Sequence, residues 1–409
     1  MNILRSALLL LLLVVTPAMA QPIVGAEVLS NVVTPSASLH PMATPAVTMA
    51  RDDRGVVIAW TMLNAQRVNA VYIARLDMAG RVVGAIREVP SSSTIADAAY
   101  PSIAASPTGS GFTVVWLEYS RAFPTVTVAF SHVTPDLETV GPYALLIAPQ
   151  LVITRPPLAR SGSATWIEAG GAVWRLVGDE YALRLPDVST AGSDGTAGAD
   201  PEFVSSERVT TGFRCAETPA CAIPHAPLGT CSPECRIDEY TFSIRLAGPA
   251  GDFSAATYPF DLNAQPAIAR RDDESLIAWF SGEDGGGVVA ARVGSTSFID
   301  AIAQAQFLGN FRGAPGYARP AIATDGDSFL VVWSTQSVAG ADRDVLAAAI
   351  GPSGTVTSFS IATSDADERA PSVISTGNGT FLVAYESIAN GERLLAGRVV
   401  SLLARRRAS

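Results

Sequence analysis

Residues 320–333 read Pro-Ala-Ile-Ala-Thr-Asp-Gly-Asp-Ser-Phe-Leu-Val-Val-Trp, and this stretch decides the fold. Two short apolar runs flank a polar turn, Asp325-Gly326-Asp327, and the second run ends in an aromatic residue. β-Branched and aromatic residues bounded by Gly, Asp and Pro predict two antiparallel strands joined by a tight hairpin. The same phrase recurs along the chain. Pro45 leads through Arg51-Asp52-Asp53-Arg54-Gly55 to Trp60, and Pro101 leads through a Ser/Gly turn ending at Gly111 to Trp116. Pro266 leads through Arg271-Asp272-Asp273-Glu274 to Trp279, and Pro371 through Gly377-Asn378-Gly379 to Tyr385. Weaker copies start at Pro157, running to Trp166, and at Pro201, running by way of Val209 to Phe213. Successive anchor prolines stand 56, 56, 44, 65, 54 and 51 residues apart, and the 65 contains a cysteine-bearing insert. A period near fifty predicts an array of like units instead of independent domains.

A third apolar run follows each pair, at 71–76, 126–130, 173–177, 240–246, 288–293, 345–350 and 394–399, and a fourth follows a turn, as at 80–88 and 354–361. Four short antiparallel strands per unit are what one blade of a propeller needs. The predicted fold is all-β: a seven-bladed β-propeller of four-stranded antiparallel blades. Six, with the unit at Pro157 or Pro201 merged or degenerate, is the alternative count. The last unit stops after its third strand, near Val400, while Ala26-Glu-Val-Leu-Ser30 resembles the fourth-strand segments at 86–89 and 358–362. The N-terminal segment is therefore expected to complete the last blade and remove two open edges. The aromatics at 60, 116, 166, 279, 333 and 385 are expected to pack between sheets, with a ligand-stacking row as the other reading. No segment beyond the first twenty residues holds a 3.6-residue apolar period of helical length.

The predicted domains are a signal peptide at 1–20, one propeller at 21–401 with a Cys-bearing loop insert at 214–236, and a basic tail at 402–409. Arg5, the apolar run from Leu8 to Val15 and the small-x-small site Ala18-Met19-Ala20 have the physics of a cleaved secretory signal. An uncleaved anchor needs roughly 20 apolar residues, and Pro17 interrupts the run first. The expected location is secreted or periplasmic, with no membrane span. The chain has 28 basic against 38 acidic residues, a net charge of −10, and no Lys. Losing Arg5 with the signal moves this to −11. Such a surface excludes nucleic acid and anionic lipid as partners, and a missing amine excludes Schiff-base and P-loop chemistry.

Residues able to do chemistry are sparse. His40, His132 and His225 are the only histidines, and no Gly-x-Ser-x-Gly or His-Glu-x-x-His occurs. The hairpin acids lack alternating Asp-x-Asp-x-Asp spacing, so neither metal nor cofactor is expected. Cys215, Cys221, Cys231 and Cys235 are read as two disulfides of an exported protein, with a thiolate zinc site as the alternative. Three pairings are open; a nested one, Cys215 with Cys235 and Cys221 with Cys231, suits an insert whose ends lie close. In a propeller the loop between strands two and three and the loop between blades share one face. That face should carry Glu118, Arg121, Glu168, Glu283, Asp284, Asp342, Arg343, Asp344, Glu386 and the insert. Glu118, Glu168 and Glu386 follow a blade aromatic by one or two residues, which aims them at the ring mouth as ligand-binding candidates. No catalytic set is assigned.

The pattern Pro-x-hydrophobic-Ala, polar hairpin, Leu-Val-Val-Trp resembles the repeats of secreted bacterial β-propeller proteins over nearly all of residues 25–400. Likeness to sialidases stops at architecture, because their Ser-x-Asp-x-Gly-x-x-Trp box is missing from these turns. The resemblance implies a fold and leaves activity open, since propellers host lectins, hydrolases, lyases and scaffolds. The expected chain is a monomeric binding module for a protein segment or a carbohydrate. A propeller-type glycoside hydrolase or polysaccharide lyase using the loop-face carboxylates is the competing class.

Overall fold

The computed structural model describes residues 21–33, 47–91, 96–120, 126–145, 158–161, 165–169, 172–177, 181–184, 194–195, 203–215, 236–248, 251–257, 266–281, 286–294, 297–312, 320–336 and 342–402. Strand β1 (Ile23–Val33) comes first. The first sheet holds β2 (Thr48–Asp52), β3 (Gly55–Leu63), β4 (Asn69–Leu76) and β5 (Val82–Val89). The second holds β6 (Ala96–Ala105), β7 (Phe112–Ser120), β8 (Val126–Val133) and β9 (Thr139–Leu145). The third holds β10 (Leu158–Ser161), β11 (Thr165–Ala169), β12 (Ala172–Val177) and β13 (Tyr181–Arg184). The fourth holds β14 (Asp194–Gly195), β15 (Phe203–Cys215), β16 (Arg236–Gly248) and β17 (Gly251–Thr257). The fifth holds β18 (Ala267–Arg271), β19 (Glu274–Ser281), β20 (Gly287–Val293) and β21 (Gln306–Asn310), with helix α1 (Phe298–Ala303) before its last strand. The sixth holds β22 (Ala321–Thr324), β23 (Phe329–Gln336), β24 (Arg343–Ile350) and β25 (Val356–Ala362). The seventh holds β26 (Asp367–Gly377), β27 (Thr380–Ala389) and β28 (Glu392–Ser401).

Each of these sheets is a four-stranded antiparallel meander, and the seventh takes its fourth strand from β1, in the order β1-β28-β27-β26. Ile23 pairs with Ser401 and Glu27 with Arg398, so the segment expected to complete the last unit does so. The deciding turn works as read: Asp325 Oδ1 accepts the backbone N–H groups of Asp327 (2.9 Å) and Ser328 (2.7 Å), and Gly326 takes φ +97°. Gly111 is obligatory, since a Cβ there would stand 2.0 Å from the Val133 carbonyl oxygen at φ +130°.

Two readings of the sequence need correction. The runs after Pro201 are one long strand, β15, and not a hairpin pair; the first strand of that sheet is the two-residue β14. Ser205-Ser206-Glu207-Arg208 offers no Gly, Pro, Asn or Asp to turn the chain, and β16 pairs along it from Ala247 to Arg236 with one bulge near Thr210. The connection between β20 and β21 is helical, where no helix was expected. Ser297 caps α1 by accepting the Asp300 N–H, and Phe298, Ala301 and Ile302 are buried. Six residues are too few to leave a periodic signature.

Neighbouring sheets pack face to face through their alternating residues. The row of aromatics lies inside these joints: Trp60, Trp116, Trp279, Trp333 and Tyr385 are each 0–3% exposed. Each faces the preceding sheet. Trp116 packs with Val57, Ala59 and Ile73, Trp333 with Phe280 and Leu308, and Tyr385 with Val345 and Ala347. Trp60, of the first sheet, packs with Leu382, Ala384 and Leu395 of the seventh, so first and last sheets are also in contact. The Trp166 side chain lies outside the described residues.

Polar buckles tie the joints at the hairpin end. Arg75 grips Asp52 with two bonds (2.8 and 2.9 Å) and reaches the Pro135 carbonyl of the second sheet at 2.9 Å. At the same place in the fifth sheet, Arg292 grips Glu274 and reaches the Pro352 carbonyl of the sixth at 3.2 Å. Hydrogen bonding from Arg292, then its charge and that of Arg271, hold Glu274 below the ordinary carboxylate range against the opposing effect of burial.

Candidate functional site

The end of the sheets opposite those buckles was the expected ligand face, and it holds the buried groups Glu118, Glu368, Glu386 and Arg393. In the second sheet β7 carries Glu118 two residues after Trp116, so both side chains point to the same side. Glu118 is 3% exposed. Its Oε1 accepts the Trp116 indole N–H at 3.0 Å and the Ser91 hydroxyl, from the linker after β5, at 2.8 Å. This carboxylate serves the joint between the first and second sheets.

The seventh sheet is more heavily charged. Glu386 follows Tyr385 by one residue, and a one-residue step reverses the side of the sheet. Tyr385 faces the sixth sheet, whereas Glu386 shares its face with Leu382 and Ala384, which pack on the first. Its side chain is 4% exposed and ion-paired with Arg393, itself 4% exposed. Burial pushes the Glu386 carboxyl up to about 7, although the charge of Arg393, its hydrogen bond and the charge of Arg369 all favour ionisation. Beside it on the same face, Asp367 pairs with Arg369. Burial, followed by the nearby Arg369 charge, pushes Arg343 down.

Glu368 is a second buried carboxylate, 2% exposed, on the other face of this sheet. It accepts from the Ser364 hydroxyl and lies opposite Ser387. Burial raises it, and the charges of Asp344 and Asp367 add to the rise against the Ser364 bonds. Glu368 and Glu118 do one job from two strands. Glu118 on β7 lies opposite Ala98 on β6; in the seventh sheet the acid stands on β26 and the short residue, Ser387, on β27. Each receives a serine hydroxyl from the linker behind it.

Asp97 and Asp367 form a second matched pair, each four residues before an anchor proline. Asp97 accepts the Asn69 backbone N–H at 2.9 Å, and Asp367 accepts that of Arg343 at 3.2 Å. Each clips the third strand of the preceding sheet. The residue just before each proline, Tyr100 and Ala370, takes positive φ (51° and 47°) where the pairing slips. The signal for these clips is present in the sequence as the recurrence Ala96-Asp97-x-x-x-Pro101 and Ala366-Asp367-x-x-x-Pro371, which lies ahead of the hairpin phrase.

Of the remaining candidates, Asp342 is exposed, and Arg343 and Asp344 are partly buried beside the Asp367–Glu368 cluster. Glu168 pairs through its backbone with Leu158 and Val173, at the same phase after Trp166 that Glu118 has after Trp116. The side chain of Glu168 is outside the described residues, as are Arg121, Glu283, Asp284, Cys221, Cys231, Cys235 and the side chain of Cys215. The last pair of the β15–β16 ladder, Cys215 with Arg236, brings the ends of the insert together. Among the described residues, no group of three or more His, Cys, Asp or Glu is arranged to hold a metal ion. No described helix is long and apolar enough to cross a membrane.

Comparison with known proteins finds no matching family model and no matching curated protein. Among solved structures, a Dyadobacter fermentans protein of unknown function is 10% identical, with 93% of this chain and 99% of that chain covered at a TM-score of 0.46. The Trypanosoma rangeli sialidase in complex with sialic acid is 9% identical at a TM-score of 0.45; 92% of this chain covers 57% of that one. The parainfluenza virus 5 hemagglutinin-neuraminidase ectodomain is 9% identical at a TM-score of 0.45, with 93% of this chain and 86% of that one covered.

Proposed function

We propose that the chain is an exported, monomeric binding module built as a closed seven-bladed β-propeller, and that it recognises a protein segment or a carbohydrate on its loop face. Seven four-stranded sheets, with the seventh completed by β1 and packed on the first, support the ring. The observation that carries the functional reading is the burial of Glu118 and Glu386, each 3% exposed and each engaged inside a joint. Carboxylates spent on holding sheets together do not face one another across a cleft, as paired glycosidase acids must. Recognition is left to the loop groups around Asp342, Arg343 and Asp344 and to the cysteine insert, which in an oxidising compartment carries two disulfides.

One observation favours the competing glycoside hydrolase or lyase: Glu386 is pushed up to about 7, where a general acid is useful. The same burial that raises it keeps a sugar ring from reaching it. The test is a glycan and peptide array probed with the oxidised protein, beside an Asp342→Ala/Arg343→Ala/Asp344→Ala variant and Glu386→Gln. Binding lost in the loop variant and kept in Glu386→Gln is the expected result. Turnover of an arrayed glycan that disappears in Glu386→Gln would overturn the module in favour of the enzyme.

A further inference from the structure

We infer that the joint between the last and first sheets is a proton-dependent seam, tighter when Glu386 carries a proton and looser when it is ionised. The geometry singles out this joint. Glu386 stands on the β27 face whose Leu382 and Ala384 pack with Val47, Met49, Ile58 and Trp60, and its cross-strand partner Leu395 belongs to the same apolar cluster. The matching slots of the second sheet hold Leu117 and Ala99, so a carboxyl here replaces a hydrocarbon. Arg393 takes Oε1 of Glu386, while Oε2 is buried with no hydrogen-bond partner among the described residues. In the same joint the Trp60 indole N–H is also buried and without a described partner. Among the described residues, Asp367 and Arg369 from β26 and Arg393 from β28 are the charges on this face. Val47, Met49 and Trp60 bring none from the first sheet. Tyr72, stacked on Trp60 with ring centroids 6.2 Å apart, bonds to Glu88 and stays neutral up to about 12.

An ionised Glu386 leaves a bare carboxylate oxygen in an apolar joint, and a neutral acid removes that desolvation cost. Its carboxyl titrates near 7 in the fold against 4.5 for the ordinary group. A folded value above the unfolded one gives stability that is whole below about 4.5 and is lost as pH rises through about 7. The direction is therefore tightening on acidification.

The test is backbone hydrogen exchange, corrected for intrinsic rates, from pH 5.5 to 8.5 on the wild-type chain, Glu386→Gln and Glu368→Gln. In the wild type, protection at Ala384 and Leu395 is expected to fall by about tenfold or more relative to Val115 and Val128 of the second sheet, one pKa unit corresponding to a factor of ten. Glu386→Gln, which keeps the shape of the neutral acid, should flatten that fall, and Glu368→Gln should leave it. Equal behaviour of the two sheets, persistence in Glu386→Gln, or abolition by Glu368→Gln would each overturn the seam. Should Glu386→Gln not fold, the carboxyl carbon resonance of Glu386 in the wild type decides. A titration midpoint near 7 supports the seam and one below about 5 sinks it.

Discussion

The second and seventh sheets are built to one plan and differ in how they end. Both have an Asp clip four residues before the anchor proline, a left-handed residue ahead of that proline, and a buried glutamate receiving a linker serine. On the other face they part: the second sheet carries Leu117 and Ala99, the seventh Glu386, Arg369 and Arg393. The shared parts are those a sheet needs to dock on the one before it. The departing part faces the sheet that comes next, and only for the seventh is that sheet the first one made. Apolar surfaces adapt to many neighbours, whereas a buried ion pair accepts few geometries. Such pairs stabilise little and are best understood as setting register.

The comparison can be broken, in order of expected effect. Trp116→Ala removes the largest side chain of the first–second joint and should cost about 3–5 kcal/mol; an unchanged thermal melt would mean that the aromatic row is not what packs the sheets. Arg393→Met strands Glu386 without its cation and should cost about 3 kcal/mol at pH 8. That loss should shrink at pH 5.5, where Glu386 is neutral, and equal losses in denaturant titrations at both pH values would contradict the assignment. Glu118→Ala orphans the Trp116 indole N–H, for about 1–3 kcal/mol, read as a lowered midpoint in a denaturant titration. Converting Glu386, Arg369 and Arg393 together to Leu, Ala and Val should be neutral or stabilising by about 1–4 kcal/mol. A severe loss would show that the ionic set does more than choose a geometry. Asp136→Asn, which breaks the exposed Arg54–Asp136 pair, should change stability by less than about 1 kcal/mol.

The buckles and the seam also answer to pH in opposite senses. Glu274 lies below its ordinary value, so its contribution is present above about 4.5 and is lost as pH falls further. Together these two groups place their joint maximum of stability near pH 4.5, where one loss ends and the other begins.

Much of this plan could be read from the chain, because each strand carries its own apolar alternation and each turn its own Gly or Asp. The unit at 320–333 and its copies place the hairpins, and Ala26–Ser30 was recognisable as a fourth strand by likeness to 358–362. What escaped depended on phase and on distance. Glu118 and Glu386 look equivalent as acids just after an aromatic, yet a spacing of two and a spacing of one send them to opposite joints. Arg393 meets Glu386 across the β27–β28 hairpin and Glu368 takes the Ser364 hydroxyl from the linker before β26; neither contact belongs to the repeated hairpin phrase, so the repeats do not reveal them. The Pro201 unit misled because a proline and two apolar runs mimic a hairpin, although no turn former lies between the runs.

The pairing of Ile23 with Ser401 sets the order of events in biogenesis. Of the described strands, the first in the chain is the one whose place is ready last, after some 370 further residues have been made. Until then its backbone edge has no native neighbour and is open to wrong pairings. Deletions that enter Ile23–Val33 or Glu392–Ser401 should then act alike, since each unmakes the same sheet.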